Sequence, residues 1–108
     1  MAEEARIVDE EQFGPALPVL AYRTVAEAVE RANATSFGLS GSVWGTDTDE
    51  AARVAAQLQS GVAFVNDHLT LEPHLPFGGV KWSGVGVENG PWGLEEFSSL
   101  HVLYRSRR

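Results

Sequence analysis

Asp47-Thr48-Asp49-Glu50-Ala51-Ala52-Arg53-Val54-Ala55-Ala56-Gln57-Leu58-Gln59-Ser60-Gly61-Val62-Ala63-Phe64-Val65 is the stretch that decides the fold class. Asp47, with Glu50 three residues on, marks a helix start. Ala51, Val54, Ala55 and Leu58 recur at helical spacing and share one face. Gly61 sits where a C-terminal cap belongs. Val62-Ala63-Phe64-Val65 is a short, almost wholly apolar strand, of the kind buried on both faces of a sheet.

The same alternation continues toward the N-terminus. Leu39 to Trp44 is predicted as a strand, weakened by its glycine and serines. Before it, Thr24-Val25-Ala26-Glu27 has the form of a capping box. Val25, Ala28, Val29 and Ala32 then mark one helix face, and the helix stops before Gly38. Ala16-Leu17-Pro18-Val19-Leu20-Ala21-Tyr22 is a first strand, with Pro18 suited to an edge. Residues 16–66 therefore spell strand, helix, strand, helix, strand. Two crossover units of this kind predict an α/β domain built on a mostly parallel sheet.

Toward the C-terminus the regularity stops. Residues 67–91 are predicted as one long loop, rich in glycine and carrying Pro73, Pro76 and Pro91. A loop this long in a compact domain is functional or disordered, and Phe77 and Trp82 argue against disorder. A short helix is expected from Pro91 to about Ser98, then a last strand from Leu100 to Tyr104.

Composition sets the outer bounds. The chain has 108 residues, 44% hydrophobic and 21% charged, with a formal net charge of -7. That is one globular domain. An acidic chain repels phosphate backbones, so no nucleic-acid partner is expected. No apolar run approaches membrane-spanning length and no secretory signal opens the chain, so a cytoplasmic protein without membrane contact is expected. Glu3, Glu4, Asp9 and Glu10 at one end, and Arg105, Arg107 and Arg108 at the other, read as solvated termini. The sequence has no cysteine, which excludes disulfides, thiolate metal sites and a thiol nucleophile within it.

Candidate chemistry thins out on inspection. Gly78-Gly79-Val80-Lys81-Trp82-Ser83-Gly84-Val85-Gly86 looks like a phosphate loop but has neither the spacing nor the strand-to-helix setting of one. Its glycines fit tight turns and close backbone approach. His68 and His74 lie near Asp67 and Glu72, yet match no structural metal pattern, so no metal is expected. No Gly-x-Ser-x-Gly elbow supports a hydrolase. Glu11 and Phe13, two apart in an extended segment before the stiff Gly14-Pro15 turn, point to the same side. A carboxylate there can accept two ribose hydroxyls while the ring flanks a sugar or a base. The plainer alternative is the start of a strand.

Glu10-Glu11-Gln12-Phe13-Gly14-Pro15 resembles the Glu-Glu-x-Phe-Gly-Pro motif of the NAD(P)-dependent aldehyde dehydrogenases. The Ala-Asn pair that ends the first helix, with Phe37-Gly38-Leu39, resembles a second signature of that family. Ser60 to Asn66 resembles its Gly-x-x-x-Val-Asn strand, and Pro76 to Gly86 its Pro-Phe-Gly-Gly-x-Lys-x-Ser-Gly-x-Gly motif. Four motifs in order, covering about residues 6–105, are far more specific than any one glycine pattern.

The resemblance implies the C-terminal part of an aldehyde dehydrogenase catalytic domain. Residues 1–15 would be a cofactor-contacting opening segment, 67–91 an active-site loop, and 92–108 a short helix with an oligomerisation strand. It places Glu11 on the nicotinamide ribose and Phe13 beside the nicotinamide of NAD or NADP. It places Phe77 in the substrate tunnel, with His68 and Leu71 on the substrate side of the tunnel mouth. The family's cysteine thiolate attacks the aldehyde, a hydride passes to the cofactor, and a glutamate base assists hydrolysis of the thioester. Neither that cysteine nor that glutamate has a counterpart here, so no residue of this chain is expected to be catalytic, and whether the chain is itself an enzyme stays open. It resembles a truncated product, inactive alone, that meets an aldehyde substrate only in a complete enzyme. It would form a homo-oligomer or associate with an upstream or full-length dehydrogenase. The competing expectations are a non-catalytic interaction or complementation module docking through its terminal strand, a gene remnant of marginal stability, and a stand-alone nucleotide binder.

Overall fold

The structure, a computed structural model, describes residues 5–107. Glu3, Glu4 and Arg108, read above as solvated termini, lie outside the described residues. The chain divides after Thr35 into two compact units.

The first unit holds two helices. Helix α1, Arg6–Asp9, is a single turn. Arg6 spans it with a two-pronged ion pair to Glu10, at 2.8 and 2.9 Å, and the guanidinium holds the Glu10 carboxyl below its ordinary value. Helix α2, Val25–Asn33, starts as the capping box predicts, the Thr24 side chain accepting from the Glu27 N–H. The reciprocal bond falls one residue earlier than the motif's usual form: Glu27 Oε2 accepts from the Arg23 N–H at 2.9 Å. Arg31 then donates to the Ala21 carbonyl at 2.9 Å, tying the helix to the segment before it.

That segment is a correction. Residues 16–22 form no strand, and Leu17, Val19 and Tyr22 are exposed. Strand-forming composition supplies only half of a ladder. Pro18 has no N–H to give, and the described residues of the first unit form no strand to pair with it.

The second unit contains the one crossover that forms. Strand β1 is Phe37–Gly38 and strand β2 Ser40–Val43. Helix α3, Thr48–Ala55, is capped by the Asp47 carboxylate, which accepts from the Asp49 and Glu50 N–H groups. Strand β3, Val62–Val65, runs parallel to β2 in the register Ser40↔Val62 to Val43↔Val65. Helix α3 packs on both strands, and its Ala51 and Ala55, 4% and 3% exposed, are the buried hydrophobic residues among those described.

Two details of the deciding stretch are corrected here. Strand β3 is not buried on both faces; Ala63 is exposed, and no third strand joins the β2–β3 pair among the described residues. Gly61 is not the helix cap, since α3 ends at Ala55 and is capped by Ala56. It serves close approach instead. A Cβ on Gly61 would lie 1.6 Å from the Gly78 carbonyl oxygen, so backbone passes where any side chain would stand.

The predicted loop 67–91 carries three short strands. Strand β4, Phe77–Gly78, pairs antiparallel with β6, Val87–Glu88. Strand β5, Val80–Lys81, pairs antiparallel with β1. Helix α4, Gly90–Glu95, has Pro91 in its first turn and packs on β6. The α/β class therefore stands, but the mostly parallel sheet from two crossover units does not: among the described residues one crossover joins one parallel pair, beside two antiparallel pairs. Residues 100–104 form no strand either; no described strand pairs with them, and Leu100, Val102, Leu103 and Tyr104 are exposed. No helix among the described residues is long and apolar enough to cross a membrane.

Candidate functional site

In the first unit, Gln12 shapes the segment that carries Glu11 and Phe13. Its Oε1 accepts from the Gly14 N–H at 2.8 Å, and its Nε2 donates to the Ala16 carbonyl. One side chain thus closes the Phe13-Gly14-Pro15 turn from both sides. Glu11 is exposed, and its carboxylate has no hydrogen-bond partner among the described residues. The Phe13 ring is 97% exposed. A carboxylate with its lone pairs open can accept from a sugar diol and a bare aromatic face can flank a ring, so the chemistry of both residues is compatible with a nucleotide.

In the second unit, His68, Leu71 and Phe77 follow β3 and occupy β4. Asn66 anchors the start of this segment. Its amide oxygen accepts from the Gly45 N–H, and its amide nitrogen donates to the Gly45 carbonyl, both at 2.8 Å. This closes the exit of β3 onto the exit of β2. Asp67 Oδ1 accepts from the His68 N–H at 2.7 Å. A Thr70 hydroxyl bond first, and that His68 amide second, hold the Asp67 carboxyl below its ordinary value. The His68 ring meets Ser42 Oγ through Nδ1 at 2.7 Å and stands edge-on to Phe64 at 6.3 Å. Leu71 is exposed. Phe77 is half-buried opposite Glu88 in the β4–β6 pair.

The glycine-rich stretch is a scaffold in this geometry. Ser83 Oγ accepts from the Gly38 N–H at 2.9 Å, and the Ser83 N–H donates to the Val80 carbonyl. A Cβ on Gly79 would sit 2.6 Å from Ser83. Its amides and hydroxyl close the turn and join it to β1, which accounts for these residue types by structure alone.

Sequence reasoning missed Ser42 and the double bond made by the Asn66 side chain. Asn66 was visible as part of a motif, but nothing local points from it to Gly45. Ser42 lies 26 residues from His68 and carries no signal of its own. An open cleft of about 320 Å³ lined by Val87, Trp92, Glu95, Glu96 and Ser98 holds none of Glu11, Phe13, His68, Leu71 and Phe77. No group of three or more potential metal ligands is gathered among the described residues.

Comparison with known proteins agrees with the motifs. A profile of the aldehyde dehydrogenase family matches residues 1–103. The chain is 48% identical over 101 residues to a vanillin dehydrogenase of Corynebacterium glutamicum, covering 92% of this chain and 21% of that protein. It is 42% identical over 105 residues to a betaine aldehyde dehydrogenase of Bacillus subtilis, covering 97% and 21%. A crystal structure of a Mycobacterium tuberculosis aldehyde dehydrogenase complexed with NAD+ superposes with a TM-score of 0.85 at 40% identity, over 90% of this chain and 20% of that one. The chain spans about a fifth of the length of the curated relatives it matches.

Proposed function

The chain belongs to the aldehyde dehydrogenase family, and from that premise we propose that it contributes cofactor-binding and substrate-binding residues to an enzyme oxidising aldehydes to acids with NAD or NADP. Glu11 binds the hydroxyls of the nicotinamide ribose and Phe13 flanks the nicotinamide. Phe77, His68 and Leu71 meet the substrate. When bound, the cofactor supplies the hydride acceptor. The residues of this chain orient it, shield the reacting face from water and grip the aldehyde away from its carbonyl. The reacting thiol comes from outside these 108 residues, because the sequence holds no cysteine. The chain is accordingly inactive alone and works in the cytoplasm, in association with an upstream segment or a full-length dehydrogenase.

The observation that carries this reading is the pairing of an unpartnered Glu11 carboxylate with a bare Phe13 ring across a turn closed by Gln12. Pre-shaping the turn lowers the ordering cost of binding. In the active assembly, Glu11→Gln removes a charge-assisted acceptor worth roughly 1.5–3 kcal/mol, so KM for the cofactor should rise about 10- to 100-fold. An unchanged cofactor KM would remove Glu11 from the site.

The exposed C-terminal segment supports a second reading, a non-catalytic module that docks through residues 97–104 on another copy or on a full-length relative. Phe97, Leu100, Val102, Leu103 and Tyr104 are all exposed there, and apolar surface of this extent marks an interaction site. Replacing Leu100 and Val102 by lysine should abolish co-purification with a dehydrogenase while leaving the fold intact.

A further inference from the structure

The segment that leaves β3 is fixed with more care than a surface loop needs. Asn66 and Leu69 have φ values of 53° and 57°. That conformation is tolerable for asparagine but costly for leucine, and it persists only where the surroundings enforce it. The enforcing contacts are the Asn66–Gly45 pair of hydrogen bonds, the Asp67 bond to the His68 amide, and the seating of the His68 ring. The ring sits over one rung of the parallel pair. Ser42 and Phe64 are register partners; Ser42 offers its hydroxyl to Nδ1 and Phe64 meets the ring edge-on.

A neutral imidazole has one donor and one acceptor nitrogen, so the partner of Nδ1 decides what Nε2 can do. The Ser42 hydroxyl has no other acceptor among the described residues. If it donates to Nδ1, its hydrogen is satisfied. If it accepts, no protein atom among the described residues takes that hydrogen. Nε2 makes no hydrogen bond among the described residues.

We infer that Ser42 is a positioning residue: its hydroxyl holds His68 as the Nε2–H tautomer and thereby presents a single N–H donor to an oxygen acceptor at the far end of the aldehyde. This deepens the proposed function and rests on its reading of His68 as a substrate-side residue. The chemistry recognised is a phenol, ether or carboxylate oxygen. An N–H donor offers nothing to a quaternary ammonium. The adjacent Asp67 carboxylate is already engaged by the His68 amide and Thr70.

Long-range ¹H–¹⁵N correlation spectra of the full chain test this without any turnover. They are recorded about two pH units above the ordinary histidine pKa of ~6.5. His68 should show the Nε2–H pattern alone in the wild type, an average of both tautomers in Ser42→Ala, and the wild-type pattern again in Ser42→Thr. An averaged or Nδ1–H pattern in the wild type overturns the assignment, and so does a Ser42→Ala spectrum identical to it. In the same samples, millimolar 4-hydroxybenzyl alcohol should shift His68 Nε2 in the wild type and Ser42→Thr but not in Ser42→Ala, whereas tetramethylammonium should shift none. No response to the alcohol, or a response to the cation alone, overturns the donor role. Unchanged methyl signals of Val43 and Val65 show that the parallel pair is intact in each variant. Because no step needs oxidation, failure of the dehydrogenase reading would appear as absent turnover in the active assembly and not in these spectra.

Discussion

Asp47 shows how much a single residue can disclose. Its carboxylate accepts two amide hydrogens at the start of α3, and the sequence announced this because the partners are two and three residues away. Asp47→Ala should cost about 1 kcal/mol of unfolding free energy, read from the denaturant midpoint of the far-ultraviolet circular dichroism signal. Gly61 was legible as a special position, but its reason was not. The Gly78 carbonyl that occupies its Cβ position is distant in sequence, and no local pattern encodes it. Gly61→Ala should therefore disrupt the β3–β4 approach and destabilise the chain far more than the cap variant.

Asp67 adds a pH prediction at the same scale. Its folded pKa is depressed, first by Thr70 and then by the His68 amide. A depressed carboxylate contributes stability that is complete above its unfolded value and lost as pH falls through the folded one. The order of the segment after β3 should therefore persist through neutral pH and loosen only below the ordinary aspartate range. Its titration, followed by the His68 amide signal, should move back upward in Thr70→Ala.

At the scale of elements, helices were read better than strands. Helix α2 begins at its predicted cap, and α3 begins at its own, because capping and the apolar stripe are local. Strand β3 was found as an apolar run between turn residues. Residues 16–22 and 100–104 have equally good strand composition and form none, since a ladder needs a partner that sequence alone does not reveal. The short strands β4, β5 and β6 escaped notice for the opposite reason: glycine-rich pairs two residues long have no periodicity. Amide hydrogen exchange should follow this division. Amides of β2 and β3 should be the slowest, while those of Leu100, Val102, Leu103 and Tyr104 should exchange freely in the chain alone and slow on docking. Protection of residues 100–104 in the monomer would contradict the assignment of that segment as unpaired.

For the whole molecule, the four ordered motifs carried the family and the composition carried one domain's worth of length. The small core was not visible in advance. The apolar share of 44% is ordinary, yet Ala51 and Ala55 are the buried hydrophobic residues among those described, while Trp44, Trp82, Phe97 and Leu100 are exposed. Burial is a property of the surroundings, and this chain spans only about a fifth of the length of the relatives it matches. The isolated protein should melt at low temperature over a broad range, self-associate with rising concentration, and gain stability from a partner that covers its apolar surface. A sharp melt at high temperature from monomeric protein would contradict this.

As proposed, Glu11 and Phe13 meet the cofactor while the reacting thiol lies outside these 108 residues, and complementation in trans tests this. NAD(P)H formation from an aldehyde should be measured with the chain alone, with the remaining upstream part of a family dehydrogenase alone, and with the two mixed. Neither component alone should turn over, the mixture should, and its rate should fall about tenfold or more at limiting cofactor when the chain carries Glu11→Gln. Turnover by the chain alone, or a mixture that is inactive or indifferent to Glu11, would contradict it.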